Sequence, residues 1–406
     1  MNKYGETALV INCGSSSVKF AILDPKDGHV FVNGVAEALN LPTAQISWKF
    51  DGGEKQKAAI AGADHSKALE FLVNNILATD KEMHDSIVAC GHRIVQGGDI
   101  YSEPTLVSDE VEANIAKVIP FAPLHNPAHL LGIKAARENF PDIPHVAVFD
   151  TAFHQTMPPK AYRYAIPEKY YTDLHLRKYG AHGTSHMYLS HEVAKAMGKK
   201  VEDINVITCH LGNGASVSAV KGGKCMDTSM GLTPLDGLVM GTRCGSIDAS
   251  VVFFLCDILK MTPEEVKDVF NKKSGLLALS GVSSDMRPIC DGYAKGDEKC
   301  VLAMDTFVYR LARFIGSYYV TLGHVDAIVF AGGIGENCGE ARELTCALLK
   351  EPFGVDLDLE KNKKAMGYLG FKGGEISTPA SKVKVFMIPT NEELVIARSA
   401  MKFVKR

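Results

Sequence analysis

The chain of 406 residues contains no apolar run close to the roughly 18 residues that a helical membrane span requires. Its charged residues form no basic stripe and no acidic tail, and the formal net charge is only −3. A nucleic-acid partner and a disordered charged tail are both disfavoured by that balance. The ten cysteines never fall in a C-x-x-C pair, and the opening stretch MNKYGETALVINCG lacks a signal peptide's long apolar segment. Reduced, mostly buried thiols in a cytoplasmic protein are therefore expected. Several familiar signatures are missing too. There is no G-x-x-x-x-G-K-[ST] phosphate loop and no H-E-x-x-H zinc motif, and both near-matches to G-x-G-x-x-G fail at the third glycine, at Cys338 and at Val217. No low-complexity linker interrupts the chain, so any domain boundary is a compact crossover.

At 46% apolar residues, the chain can bury a large core, and its length favours two domains. Strand-like and helix-like patterns alternate throughout. Residues 7–11 and 18–23 read as a hairpin, 86–95 begins as a buried strand, and 127–140 has helical spacing with proline near its start. HVAVFD (145–150) is a short strand ending in an acid. Residues 298–322 place Val301, Met304, Val308, Leu311 and Ile315 on one side of a long helix. DAIVFAGGIGEN (326–337) goes from strand through a glycine turn into a helix, and KVKVFMIP ends as a strand. A last helix is expected near Thr390, with Thr390 as N-cap and Glu393 completing a capping box. One pattern occurs twice. VINCGSSSV, from Val10, and VITCHLGNGASV, from Val206, are both strand, polar turn, strand, about half the chain apart. Duplication of a domain that opens with such a hairpin is the economical explanation, with coincidence between two hairpins as the alternative.

Three glycine-rich turns stand out, at 12–17, 210–214 and 332–337. Without Cβ atoms, such turns bring successive backbone amides close to an anion. The last also opens a helix, whose N-terminus favours phosphate. Asn12, Ser15 and Ser17 add side-chain donors and Lys19 adds a charge. Together these turns suit the phosphate chain of a nucleotide.

Arginines sit in glycine-rich or turn settings at Arg93, Arg243 and Arg287. Their forked donors match carboxylate and phosphate. Histidines occur in two i, i+4 pairs, His125 with His129 and His182 with His186. With Asp150 they raise a zinc-enzyme alternative, which the absent zinc motif and Pro127 weigh against. His182, in a glycine-rich turn, is placed to approach a ligand, whereas His186 reads as a hydrogen-bonded core residue. Asp150 ends a strand, where acids of α/β folds commonly face the ligand. Glu392 lies in the first turn of the last helix, complementing its dipole or contacting a divalent cation.

Ten motifs, VINCGSSSVKF, GHRIVQGGD, PLHNP, VFDTAFH, YGAHGTSH, HLGNGASV, TPLDGLVMGTRCG, SGVSSDMR, FAGGIGEN and IPTNEELVIA, resemble in order those of the acetate kinase family. The resemblance spans nearly the whole chain. It implies an α/β, actin-like ATPase fold of two duplicated ribonuclease H-like domains with an active-site cleft between them. Residues 1–150 with 388–406 would form the first domain, and 151–387 the second, with nucleotide binding and dimerisation. It implies ATP and ADP, acetate and acetyl phosphate, Mg²⁺ with Mn²⁺ as an alternative, a homodimer, and neither nucleic acid nor membrane as partner. By motif, Arg93 and Arg243 would hold the substrate carboxylate and the transferring phosphoryl group. His182 would donate to the transition-state oxygens, and Asp150 would orient an arginine or assist the acid. Asn12 and Glu392 would organise the metal. Nucleotide would be bound by Ser15, Ser17, Lys19, His210, Leu211, Gly212, Asn213, Gly214, Asp285, Met286, Arg287, Gly333, Ile334, Gly335, Glu336 and Asn337. His125 and His210 would belong to the phosphoryl-binding shell, and Val95, Leu124, Ala181 and Pro234 would wall the methyl pocket.

Some positions depart from the family pattern. Ala181 stands where phenylalanine is common, Gln96 where histidine is common, and Cys244, Ser246 and Ala249 differ beside Arg243. Ala181 bears most on chemistry, because a smaller wall would admit propionate, and one methylene separates such substrates by only about 1–3 kcal/mol. A propionate or broader short-chain carboxylate kinase is thus the near alternative. A chaperone-like ATPase on the same fold would need a peptide-binding insertion for which the chain has no room.

Overall fold

Leu9, Ile11 and Cys13 alternate with Ala8 and Val10, a period-two pattern buried on both faces, and they form strand β1 (Thr7–Gly14). In the computed structural model, which describes residues 2–123 and 125–405, β1 pairs antiparallel with β2 (Ser17–Leu23) and parallel with a later strand. The chain divides into two compact units, Met1–Ala152 with Asn391–Arg406, and Phe153–Thr390.

The first unit adds β3 (Val30–Glu37), β4 (Gln45–Phe50), β5 (Gln56–Ala59), β6 (Ile87–Ile94), β7 (Thr105–Leu106) and β8 (His145–Phe149). Among the described residues they form one sheet in the order β5-β4-β3-β2-β1-β6-β8-β7. One face packs Leu9, Ile11, Phe20 and Ile22 against Leu69, Leu72 and Ile76. Elsewhere in the unit, Ile94 and Phe149 pack with Val111, Ile115 and Ile133. The final helix, Glu392–Met401, lies against β6 because Gly91 has no side chain: a Cβ there would stand 2.5 Å from Ile396. Its N-cap is Asn391 rather than the expected Thr390. Asn391 Oδ1 accepts from the Leu394 amide at 3.0 Å, while the Thr390 hydroxyl lies 2.7 Å from Ser185 Oγ.

In the second unit β9 (Asn205–Leu211), β10 (Ala215–Lys221), β11 (Lys224–Thr228), β12 (Ala327–Ala331), β13 (Gly374–Glu375) and β14 (Lys384–Met387) follow the order β11-β10-β9-β12-β14-β13. The central run, three antiparallel strands continued by two parallel ones, repeats β3-β2-β1-β6-β8 of the first unit. This is the ribonuclease H-like arrangement, present twice. Ile328 and Phe330 of β12 face the cluster built on Phe307, Leu311 and Ile315, and Ala327, Val329 and Ala331 face Leu189 and Val193. The long helix Glu298–Leu322 buries Met304, Val308, Leu311 and Ile315 as their spacing predicts, whereas Val301, near its start, is only half-buried.

Six histidines are buried within these units, and five of them, His92, His129, His145, His154 and His186, are shifted by it. Burial, the largest effect on each, holds the imidazoles below their ordinary value of 6.5, His129 at about 3 and His154 at about 4. The native chain therefore binds fewer protons than the unfolded chain below pH 6.5, so stability is full above that pH and falls as pH drops through the window toward 4. Urea midpoints should decline between pH 7 and 5, the unfolding free energy falling by on the order of 1 kcal/mol per imidazole at pH 5.5. A flat profile across that range would show that these rings are not buried neutral.

Candidate active site

In the first unit the candidate side chains gather at strand ends. Asn12 pairs across the hairpin with Lys19, and Arg93 lies beside Val148 in the β6–β8 ladder, so Asp150 follows just beyond β8. Arg93 Nη2 donates to Asp150 Oδ2 at 2.8 Å, and Arg93 Nε lies 3.2 and 3.3 Å from the two carboxylate oxygens. Asp150 is fully buried, whereas 20% of the Arg93 side chain is exposed. Burial opposes the Arg93 charge, but the carboxylates of Asp150 and Glu392 outweigh it and hold the guanidinium above its ordinary value. Glu392 Oε1 is buried with no hydrogen-bond partner among the described residues. Such an orphaned carboxylate oxygen needs a cation or water to offset its desolvation. Glu393, its neighbour, is raised by burial and by Glu392, with Lys19 opposing. Val95 is buried, and Leu124 lies outside the described residues. Gln96 Oε1 accepts from the Gly98 amide at 2.9 Å and so closes its own turn.

The second unit builds its group on β9, β10 and the start of helix Gly183–Ala196. His182 occupies the left-handed region, φ 57°, just before that helix. Its Nδ1 lies 2.9 Å from Ser216 Oγ, and the same hydroxyl lies 2.7 Å from His186 Nε2. His186 Nδ1 in turn meets Thr208 Oγ1 at 2.7 Å. His186 is thus the hydrogen-bonded core histidine expected. Ser216 has one proton to give, so one of the two ring nitrogens facing it carries a proton. The His182 ring also stacks on His210, centroids 4.2 Å apart, and His210 Nδ1 meets Ser185 Oγ at 2.8 Å. The nitrogens by which His182 and His186 face each other are engaged by one hydroxyl, an arrangement for positioning a ring rather than for sharing a zinc ion.

Arg243 comes to the same place. A Cβ on Gly214 would lie 3.4 Å from Arg243 Nη1 and 3.6 Å from His182 Nε2, ordinary contact distances that place the hairpin loop beside both side chains. Arg243 Nη1 donates to the Pro234 carbonyl at 3.3 Å, and among the described residues no carboxylate pairs with this guanidinium. Burial alone lowers its pKa. Ala181 is buried in the adjoining core cluster, and its carbonyl lies 2.9 Å from His154 Nε2.

A cavity of about 870 Å³ opens beside this group. Of the expected nucleotide residues it is lined by Gly212, Asn213, Asp285, Met286, Arg287, Gly333, Ile334 and Asn337. Gly332 turns the chain into helix Gly332–Asn337 at φ 76°, with the Leu211 backbone 2.8 Å from where a Cβ would be. Asp285 caps helix Met286–Ala294 and pairs with Arg287, whose side chain is exposed. Leu211 and Gly335 are buried, and Glu336 is turned inward, its Oε1 accepting from the Gly332 and Thr390 amides at 2.8 and 3.1 Å. Ser15 and Lys19 are exposed and Ser17 half-buried on the first unit's hairpin. Reading the sequence missed Ser216, hidden inside GNGASV as an ordinary strand residue, and the cavity residues Ser284, Cys290, Asp291, Cys338, Glu340 and Tyr368. Tyr368 carried no local signal at all, being brought in by a hydrogen bond from its amide to Asn337 Oδ1 at 3.0 Å.

The family model of the acetokinase family matches residues 7–398. Relatives named acetate kinase include that of Proteus mirabilis, 54% identical over 396 residues and covering 97% of both chains. That of Shewanella amazonensis is 50% identical over 98% of both. Among solved structures, the acetate kinase of Porphyromonas gingivalis has a TM-score of 0.93 at 41% identity, covering 99% of this chain and 100% of that one. A propionate kinase from Francisella tularensis has a TM-score of 0.91, also at 41% identity, covering 98% and 99%.

The shared hydroxyl makes a direct prediction. Ser216→Ala leaves the buried His186 Nε2 unpaired and should lower stability by about 1–3 kcal/mol, seen as a reduced urea midpoint at unchanged slope. An unaltered midpoint would mean that the network contributes nothing to the fold.

Proposed function

The chain belongs to the acetokinase family, and from that premise we propose that it transfers the γ-phosphoryl group of ATP reversibly to acetate, giving acetyl phosphate and ADP. The observation that carries this reading is the half-buried Arg243, without a carboxylate partner among the described residues, set with His182 against the glycine loop that lines the large cavity. A cation so placed is completed by an anion from outside, and the loop amides and cavity suit a nucleotide's phosphates.

Acetate already carries a nucleophilic oxygen, so no strong base is required. The barrier lies in bringing two anions together and spreading charge over a planar phosphoryl group, which positioning and fixed positive charge relieve. In this reading Arg93 holds the acetate carboxylate, kept in one orientation by the buried Asp150. Arg243 and His182 donate to the phosphoryl oxygens, with Ser216 fixing the His182 ring, while His125 and His210 complete the surrounding shell. Gly212–Gly214, Asp285–Arg287 and Gly333–Asn337 bind nucleotide, with Ser15, Ser17 and Lys19 contributing donors. Glu392, with its buried oxygen lacking a protein partner among the described residues, and Asn12 fit a divalent cation, Mg²⁺ with Mn²⁺ as the alternative. When bound, that ion offsets phosphate charge. Transfer is direct and in line.

A second reading has its own support. Ala181 is small where a larger wall would exclude an extra methylene, so propionate is a competing acceptor. The reading also takes the protein to be a cytoplasmic homodimer. The helix Ser250–Leu259 buries none of its residues, and Phe253, Phe254, Ile258 and Leu259 are each at least 60% exposed. So apolar a face calls for a partner surface.

A hydroxamate assay with ATP, Mg²⁺ and a series of short carboxylates tests the activity: acetate should give product, and no product with any acid would overturn the reading. Arg243→Ala should lower kcat by about 100-fold or more with an unchanged far-UV spectrum. Arg93→Lys, which keeps a cation beside Asp150, should raise the acetate KM and lower kcat because it loses the fork. Full turnover in both would overturn the site assignment. Ala181→Phe should reduce propionate use relative to acetate. Inversion at a chiral γ-phosphate is expected, and retention would demand a phosphorylated intermediate. Phe254→Glu should shift light-scattering mass from dimer to monomer.

A further inference from the structure

Cys290 and Cys338 are 48 positions apart, and neither has a sequence neighbour that marks it as reactive. The fold brings their sulfurs to 3.1 Å. Cys290 sits on helix Met286–Ala294, which carries Met286 and Arg287, and Cys338 is the N-cap of the fifteen-residue helix Gly339–Phe353 and follows the glycine turn that carries Gly333 and Asn337. Both cysteines line the cavity of about 870 Å³. The separation is well inside an ordinary contact between two sulfurs, and a disulfide needs about 2.0 Å, so closure brings the sulfurs about 1 Å closer and ties the two walls together covalently. The Cys338 thiol is held below its ordinary value, first by the hydrogen bond from Cys290, with burial opposing and the Ala341 amide assisting. The N-terminal field of the helix acts in the same sense.

We propose that Cys290 and Cys338 form a reversible intrachain disulfide when the chain meets hydrogen peroxide, and that the bond weakens ATP binding in the cavity they wall. The second half rests on the nucleotide reading above. The Cys338 thiolate attacks one peroxide oxygen; the O–O bond breaks and the leaving hydroxide takes up a proton to become water. The resulting sulfenic acid is attacked by the Cys290 sulfur; the S–O bond breaks, and a second water leaves with the Cys290 proton. Two thiols lose two electrons in total and the peroxide is reduced to two waters. A dithiol reductant reverses the bond by exchange. The bond ties the helix that carries Met286 and Arg287 to the segment that carries Gly333 and Asn337, restricting the cavity they share.

The test uses the full, reduced chain treated with hydrogen peroxide, then mapped by mass spectrometry without reduction and titrated with ATP by calorimetry. A peptide pair joining positions 290 and 338, two hydrogen masses lighter than the separate thiols, is expected. ATP affinity should fall severalfold and return with dithiothreitol. In Cys290→Ser the linked pair should be absent, and Cys338 should be trapped by dimedone as a sulfenic acid. Both cysteines remaining thiols while others oxidise overturns the proposal, as does a linked pair with unchanged ATP affinity. If the untreated, reduced chain binds no ATP, the nucleotide reading fails and takes the gating half with it, while the peptide map still decides the disulfide.

Discussion

A guanidinium partly withdrawn from water must find a counter-charge or a full set of acceptors, or lose stability. At Arg93 the chain meets this demand itself: Asp150, fully buried, engages both Nε and Nη2 and fixes the fork in one orientation. At Arg243 it does not. That side chain has a backbone carbonyl at 3.3 Å and, among the described residues, no carboxylate. Burial disfavours its charge, so an arriving anion gains more there than at a solvated arginine. The glycine loop around Gly214, the cavity beside it and the stacked imidazoles are arranged about that unmet charge.

Rigidity at the second group comes from hydroxyls rather than from acids. Thr208, His186, Ser216 and His182 form a chain of contacts of 2.7–2.9 Å that runs from β9 to the start of a helix. A network without carboxylates holds a ring while committing no negative charge beside the glycine loop. His182 stands in the left-handed region at φ 57°, a conformation that few residues adopt and that the network and the His210 stack help to hold.

The two units share one strand plan but use it differently. In each, a hairpin returns beside a strand that runs parallel to the next, which brings turn residues and strand ends to one edge. The first unit fills that edge with Arg93, Asp150 and Glu392. The second fills it with glycines, and Gly212 and Gly333 line the cavity there.

Much of this was legible in the residues themselves. The hairpin echo at Val10 and Val206, the buried face of helix Glu298–Leu322 and the turn at Gly332 follow from period and from the absence of side chains, which are local properties of the chain. Ten ordered motifs were enough to name the family and its chemistry. The cap of the final helix was misplaced by one residue because Thr390 and Asn391 are both good caps, and the choice turned on Ser185, 205 positions away. Ser216 as the hydroxyl shared by two histidines, Tyr368 at the cavity mouth and the meeting of Cys290 with Cys338 had no local sign. Each depends on distances between segments far apart in the chain, and a sequence records neighbours along the backbone, while the packing of sheets and helices alone decides neighbours in space.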